Sequence, residues 1–107
     1  AAGGAAPALT AADAKKLFVA GDPSTGATAC GSCHTLADAG ATGQIGPDLD
    51  KFLKGKNAAF IKQSILDPNK EIAPGFQAGI MPGNFGDTLS PEQVDALVKY
   101  LSEVTNK

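Results

Sequence analysis

Residues 30–34 read Cys30-Gly31-Ser32-Cys33-His34, and this run holds both cysteines and the only histidine of the chain. Two residues between the cysteines place both sulfurs on one side of a single helical turn. From there both reach two vinyl groups on one porphyrin edge. The next residue, His34, then projects toward the iron. This is the attachment signature of a covalently bound c-type haem, with the thiols added to the vinyls and the imidazole as proximal ligand. Gly31 and Ser32 are small and are expected to leave room for the haem edge.

Other chemistries use paired cysteines. A thioredoxin-like redox disulfide calls for a strand–helix context and a βαβ pattern, and the sequence has none. Half a zinc site would need further Cys or His ligands beyond His34, and the chain has no more. The third reading is a chance pattern with a structural disulfide, which an oxidising compartment permits.

A second candidate ligand is Met81, the single methionine, in Gly79-Ile80-Met81-Pro82-Gly83. A lone methionine is commonly a core gap-filler. Here it lies far enough beyond His34 to cross to the opposite face of a haem. Pro82 stiffens the backbone beside it, and the surrounding loop is apolar and Gly-rich. Ligation by His34 and Met81 fills both axial positions, which favours electron transfer over substrate chemistry. A soft thioether also favours ferrous iron, so the couple is expected to be positive relative to a bis-His site.

The third element, Gly46-Pro47-Asp48-Leu49, is a turn by itself. Beside a haem it acquires a role. A ligating histidine usually donates its free ring N–H to a carbonyl or carboxylate. Pro47 is positioned to offer that carbonyl while its ring packs on the macrocycle.

The elements that must hold these residues read as all-α: three main helices joined by long irregular connectors around one covalently bound haem. The first is expected over 11–20, with Thr10 as N-cap, Asp13 near the positive end of its dipole, and Ala14, Leu17 and Phe18 on its apolar face. Gly21-Asp22-Pro23-Ser24 stops it, and 22–29 is a loop. Residues 35–56 are turn-rich. The second helix is expected over 58–66, capped by Asn57, facing inward with Phe60, Ile61 and Ile65 and ended by Asp67-Pro68. In the third, Ser90 caps, Pro91 takes the first helical position and Gln93 completes a capping box. Val94, Leu97, Val98, Leu101 and Val104 then recur at helical spacing. No strand pattern is convincing. Connectors this long need something else to organise them, and a cofactor would do so.

Composition sets outer limits. A chain of 107 residues with six aromatics, no Trp, thirteen glycines and seven prolines struggles to bury enough apolar surface alone. A macrocycle at the centre would repair that deficit. The net charge of −2 rests on nine lysines, no arginine and eleven acids. It shows no clustered basic face of the kind nucleic acid requires. No apolar run approaches the ~20 residues of a membrane span. The uncharged stretch 72–86 is broken by Pro74, Pro82 and four glycines. Residues 1–9 read as a flexible tail or linker, a processing remnant or the connection to an upstream anchor, and 10–107 as one mono-haem domain. Covalent haem attachment in bacteria occurs outside the cytoplasm, so a periplasmic or otherwise extracytoplasmic location is expected.

With these residues in order, the chain resembles the class I cytochromes c from about Ala14 to Thr105. The shared features are the small-x-x-x-aromatic pair Ala14 and Phe18, Cys30-Gly31-Ser32-Cys33-His34, Gly46-Pro47-Asp48-Leu49, Met81-Pro82, and Leu97-Val98-Lys99-Tyr100-Leu101. The resemblance implies a small cytochrome c fold in which the first and last helices cross near Ala14, Phe18, Leu97 and Tyr100. It implies thioether bonds from Cys30 and Cys33, ligation by His34 and Met81, and a Pro47 carbonyl bonded to His34. Ser64-Ile65-Leu66-Asp67-Pro68 and Phe85-Gly86-Asp87-Thr88-Leu89-Ser90 are similar to haem domains fused to respiratory oxidase subunits or dehydrogenases. Three features depart from the pattern. Ala14 stands where glycine is common, which predicts a slightly wider crossing. Eleven residues separate Phe18 from Cys30, and the extra segment around 22–29 is expected to border the exposed haem edge. Lys54, Lys56, Gln44, Asn57 or backbone amides must replace the Trp and Arg that often hold haem propionates.

The function expected is electron transfer without catalysis, by a monomer docking transiently with a redox donor and acceptor. Ala27, Ile45 and Ile80 are expected to rim the haem edge. A haem peroxidase or a gas-binding sensor is the alternative. Either needs Met81 to leave the iron, and a peroxidase also wants a distal acid–base group, for which no second histidine exists.

Overall fold

The computed structural model describes residues 9–106; of the expected tail over 1–9, all but Leu9 lies outside the described residues. In chain order the helices are α1 (Ala11–Ala20), α2 (Leu49–Phe52), α3 (Ala58–Leu66), α4 (Phe85–Thr88) and α5 (Pro91–Thr105). Between α1 and α2 lie 3-10 turns at Cys30–Ser32 and Ala37–Ala39. A small antiparallel hairpin is also present, β1 (Thr35–Leu36) with β2 (Ala41–Thr42). The three main helices match the expected spans. The hairpin and the four-residue helices α2 and α4 were not expected. Strands of two residues are too short to show alternation, and a single helical turn is too short to show a 3.6-residue period.

Local chemistry explains where the main helices begin. Thr10 and Asp13 form a reciprocal capping box on α1, and Ser90 and Gln93 do the same on α5. Each such cap contributes about 1 kcal/mol. Asn57 Oδ1 accepts the Phe60 N–H at 2.8 Å to start α3, and Asp48 caps α2 through the Asp50 N–H.

Helix α1 packs chiefly on α5, and α3 packs on α5 from another side. Ala14, Phe18, Leu97 and Tyr100 are all buried, with Ala14 and Phe18 fully so. Fully burying a side chain such as Phe18, Leu36, Ile61 or Leu97 stabilises the fold by roughly 1.5–3 kcal/mol each. Ile61 and Ile65 point into the same core, while Phe60 is only half-buried and packs its ring 5.8 Å from Phe52.

Polar ties fasten the loops to this frame. Tyr100 donates its hydroxyl proton to Asp38 Oδ2 at 2.6 Å, joining α5 to the 3-10 turn after β1. Burial and the neighbouring Asp38 hold the Tyr100 phenol well above its ordinary pKa, so it stays a donor. The loop over 22–27 closes on itself through paired backbone bonds between Asp22 and Ala27, and Gln93 Nε2 donates to Asp22 Oδ2 at 3.2 Å. Among the described residues, no helix is long and apolar enough to cross a membrane.

Candidate haem site

The cleft at the centre of the fold is lined almost wholly by apolar side chains. It encloses about 1140 Å³ of space, part of it open to solvent. Phe18 comes from α1, Leu49 and Phe52 from α2, Ile61 and Ile65 from α3, Phe85 from α4, and Leu97 and Leu101 from α5. Every helix therefore contributes to one wall or another. Cys30, Cys33, His34, Pro47 and Met81 all line this cleft, so the five residues singled out in the sequence meet in one place.

His34 is the most tightly held of them. Its Nδ1 lies 2.8 Å from the Pro47 carbonyl oxygen. A carbonyl only accepts, so the ring proton sits on Nδ1 and Nε2 keeps its lone pair. Burial pushes the imidazole pKa down, against the opposing pull of the Pro47 bond. The ring is thus neutral at pH 7, the form in which histidine binds metal. The backbone is fixed as well: the Gly46 N–H donates to the Cys33 carbonyl at 2.7 Å.

Gly46 is a residue whose importance the sequence reading did not isolate. A methyl group on its α-carbon would stand 2.5 Å from His34 Cε1 and 2.8 Å from Nδ1. The imidazole lies directly against this backbone, so only glycine fits without displacement.

No disulfide joins Cys30 to Cys33. Burial pushes the Cys30 thiol up to about 11, opposite to the low pKa of a redox-active Cys-x-x-Cys pair. Among the described residues, no three His, Cys, Asp or Glu side chains gather where they could hold a metal ion. The donor set and the apolar cleft fit a haem: two thiols and a neutral imidazole on one short turn, and a thioether on a separate loop.

The family model described as Cytochrome c matches residues 11–105. The chain belongs to the cytochrome c family. The crystal structure of the c-type cytochrome SorU from Sinorhizobium meliloti is similar to it at 30% identity, with a TM-score of 0.65 over 91% of this chain and 92% of that one. No curated protein sequence matches the chain. Membership brings one covalently attached haem c and a role in haem-based electron transfer with redox partners. Cytochromes of this class are in general extracytoplasmic.

Some finer expectations for this cytochrome need correction. Gly31 was expected to make room for the haem edge. Instead its α-carbon faces the Ala41 Cβ and the Phe18 carbonyl and ring, so its smallness serves packing of the attachment turn against α1 and β2. Ala27 is buried in the core cluster and does not line the cleft. Ile45 and Ile80 do line it, at 60% and 55% exposure, and Ile72 and Phe76 join them at its mouth. Of the extra loop, only Thr28 and Ala29 border the cleft. None of Lys54, Lys56, Gln44 and Asn57 lines it. Lys56 instead sets its ammonium 5.1 Å from the centre of the Phe60 ring. The polar side chains that do face the cleft are Thr28, Ser64, Asn69, Glu71 and Gln77.

Proposed function

We propose that this cytochrome is a one-electron carrier, free or as the haem domain of a larger respiratory complex, with its porphyrin bound through Cys30 and Cys33 and its iron ligated by His34 and Met81. The observation that carries this reading is the fixed, neutral His34 ring, with its Nδ1 proton committed to Pro47, on a cleft that Met81 also lines. When bound, the haem supplies the ferric–ferrous couple.

The chain's own residues do the rest. Pro47 fixes the imidazole and raises its basicity as a ligand. Gly46 lets backbone and ring meet. Phe18, Ile61, Leu97 and their neighbours keep water away and hold the site rigid, which limits reorganisation when charge changes. The Met81 thioether favours the reduced state. The chain's single histidine is already committed to Pro47, which supports a carrier over a peroxidase, because no second imidazole is there to move a proton. The domain spans 10–107 and works as a monomer outside the cytoplasm. It docks transiently through the apolar rim of Ile45, Ile72, Phe76 and Ile80.

Replacing Met81 tests this reading. Met81→Ala is expected to lower the midpoint potential and to open the ferric protein to cyanide at neutral pH. An unchanged potential would remove Met81 from the ligand set.

A further inference from the structure

The segment that carries Met81 runs from the end of α3 to the start of α4. Asp67 and the buried Pro68 end α3, and Asn69 follows at once. The Asn69 Oδ1 accepts the Gly79 backbone N–H at 2.8 Å. This bond closes the loop between them near its ends and sits two residues before Met81. Two residues of chain reach at most about 7 Å, so the clamp fixes a point close to the Met81 α-carbon. Gly79 adopts φ +83°, a conformation natural to glycine alone, which turns the chain at the clamped position. Among the described residues, no other side chain is hydrogen-bonded to the backbone of residues 77–83. Asn69 itself lines the cleft.

We infer that Asn69 is a positioning residue for Met81: its side-chain carbonyl pins the Gly79 amide and so sets how often the Met81 segment swings away from the cleft. The inference rests on Met81 being the iron ligand. Local opening of a segment with few other ties is governed by those ties. An exogenous ligand that competes with Met81 binds no faster than the segment opens. The clamp therefore controls the kinetic closure of the sixth coordination position, and it acts through backbone placement without touching the iron.

The test uses the mature haem protein and imidazole as the entering ligand. Asn69→Ala is expected to raise the rate of imidazole binding to the ferric form roughly five- to tenfold, the share one hydrogen bond takes in a local equilibrium. Hydrogen exchange of the Gly79 amide should accelerate by a similar factor. Asn69→Asp keeps an acceptor oxygen in the same place and should restore both rates to within about twofold of the parent. Asn69 is exposed, so neither substitution disturbs the core. A slow parent with unchanged imidazole binding in Asn69→Ala overturns the clamp alone. A parent that binds imidazole rapidly overturns Met81 as ligand, and the clamp's purpose with it. An Asp variant that behaves like the Ala variant overturns the assignment to the acceptor oxygen.

Discussion

Residues 30–53 and residues 67–83 both line the haem cleft, yet they are held in different ways. In the first segment Gly46 is bonded to Cys33, Pro47 to His34, Thr35 to the Gly43 carbonyl and Asp50 to the Ala37 amide. Tyr100 fastens Asp38 to α5 from outside. In the second segment Asn69 to Gly79 is, among the described residues, the single side-chain hydrogen bond near Met81, assisted by the burial of Pro68 and Ala73. The difference assigns two jobs. The His34 side is a mount tied at many points, which under the proposed ligand pair would fix one ligand and the attachment turn. The Met81 side is a lightly tethered strap, to which ligand exchange and adjustment of the redox couple would then belong.

Removing the anchor altogether has the largest expected effect. Cys30→Ala with Cys33→Ala should abolish covalent capture of haem. Phe18, Ile61 and Leu97 would then face an unfilled cleft, and the chain is expected to lose its cooperative transition in scanning calorimetry. A sharp transition in the haem-free chain would mean that the polypeptide core suffices by itself.

Paired glycine substitutions sharpen the contrast. Gly46→Ala drives a methyl into the His34 ring and should cost about 1–3 kcal/mol in denaturant unfolding, as overpacking does. At Gly79 there is open space for a Cβ, and only the positive φ is unfavourable, so Gly79→Ala should cost about 1 kcal/mol. It should nevertheless speed imidazole binding more than Gly46→Ala does. The opposite ranking in both measurements would reverse the assignment of mount and strap.

A smaller effect concerns acid. Hydrogen bonds from Ser24 first, and then from Gln93, hold the Asp22 carboxyl below its ordinary value of 3.8. A carboxylate depressed in the folded state stabilises it above the unfolded pKa, and that stabilisation fades as pH falls through the folded value. The Tm gap between the parent and Ser24→Ala should therefore be present at about pH 6 and shrink toward about pH 3. A gap independent of pH would mean that the Ser24 hydroxyl acts on the loop without the Asp22 charge.

Much of this site was legible in the sequence because its signals are local. The attachment run needs only five residues. The capping pairs Thr10–Asp13 and Ser90–Gln93 lie three residues apart, and α5 repeats its apolar positions long enough to be unmistakable. What escaped depends on contacts between distant segments. Gly46 looks like any turn glycine until the His34 ring lies against it. Asn69 acts on an amide ten residues away, across a loop without periodicity. Ala27 reads as a loop residue, and only the closure of Asp22 on it turns it inward. Lys56 over the Phe60 ring likewise joins two side chains whose meeting no local pattern announces.

The single methionine makes the central claim open to direct measurement. With only the methionine methyl labelled by carbon-13, the reduced protein should give one methyl resonance, moved far upfield by the ring current of a porphyrin directly beneath it. That result would place Met81 on the iron opposite His34. A methyl resonance at its ordinary position in the mature, haem-bearing protein would contradict the proposed ligand pair.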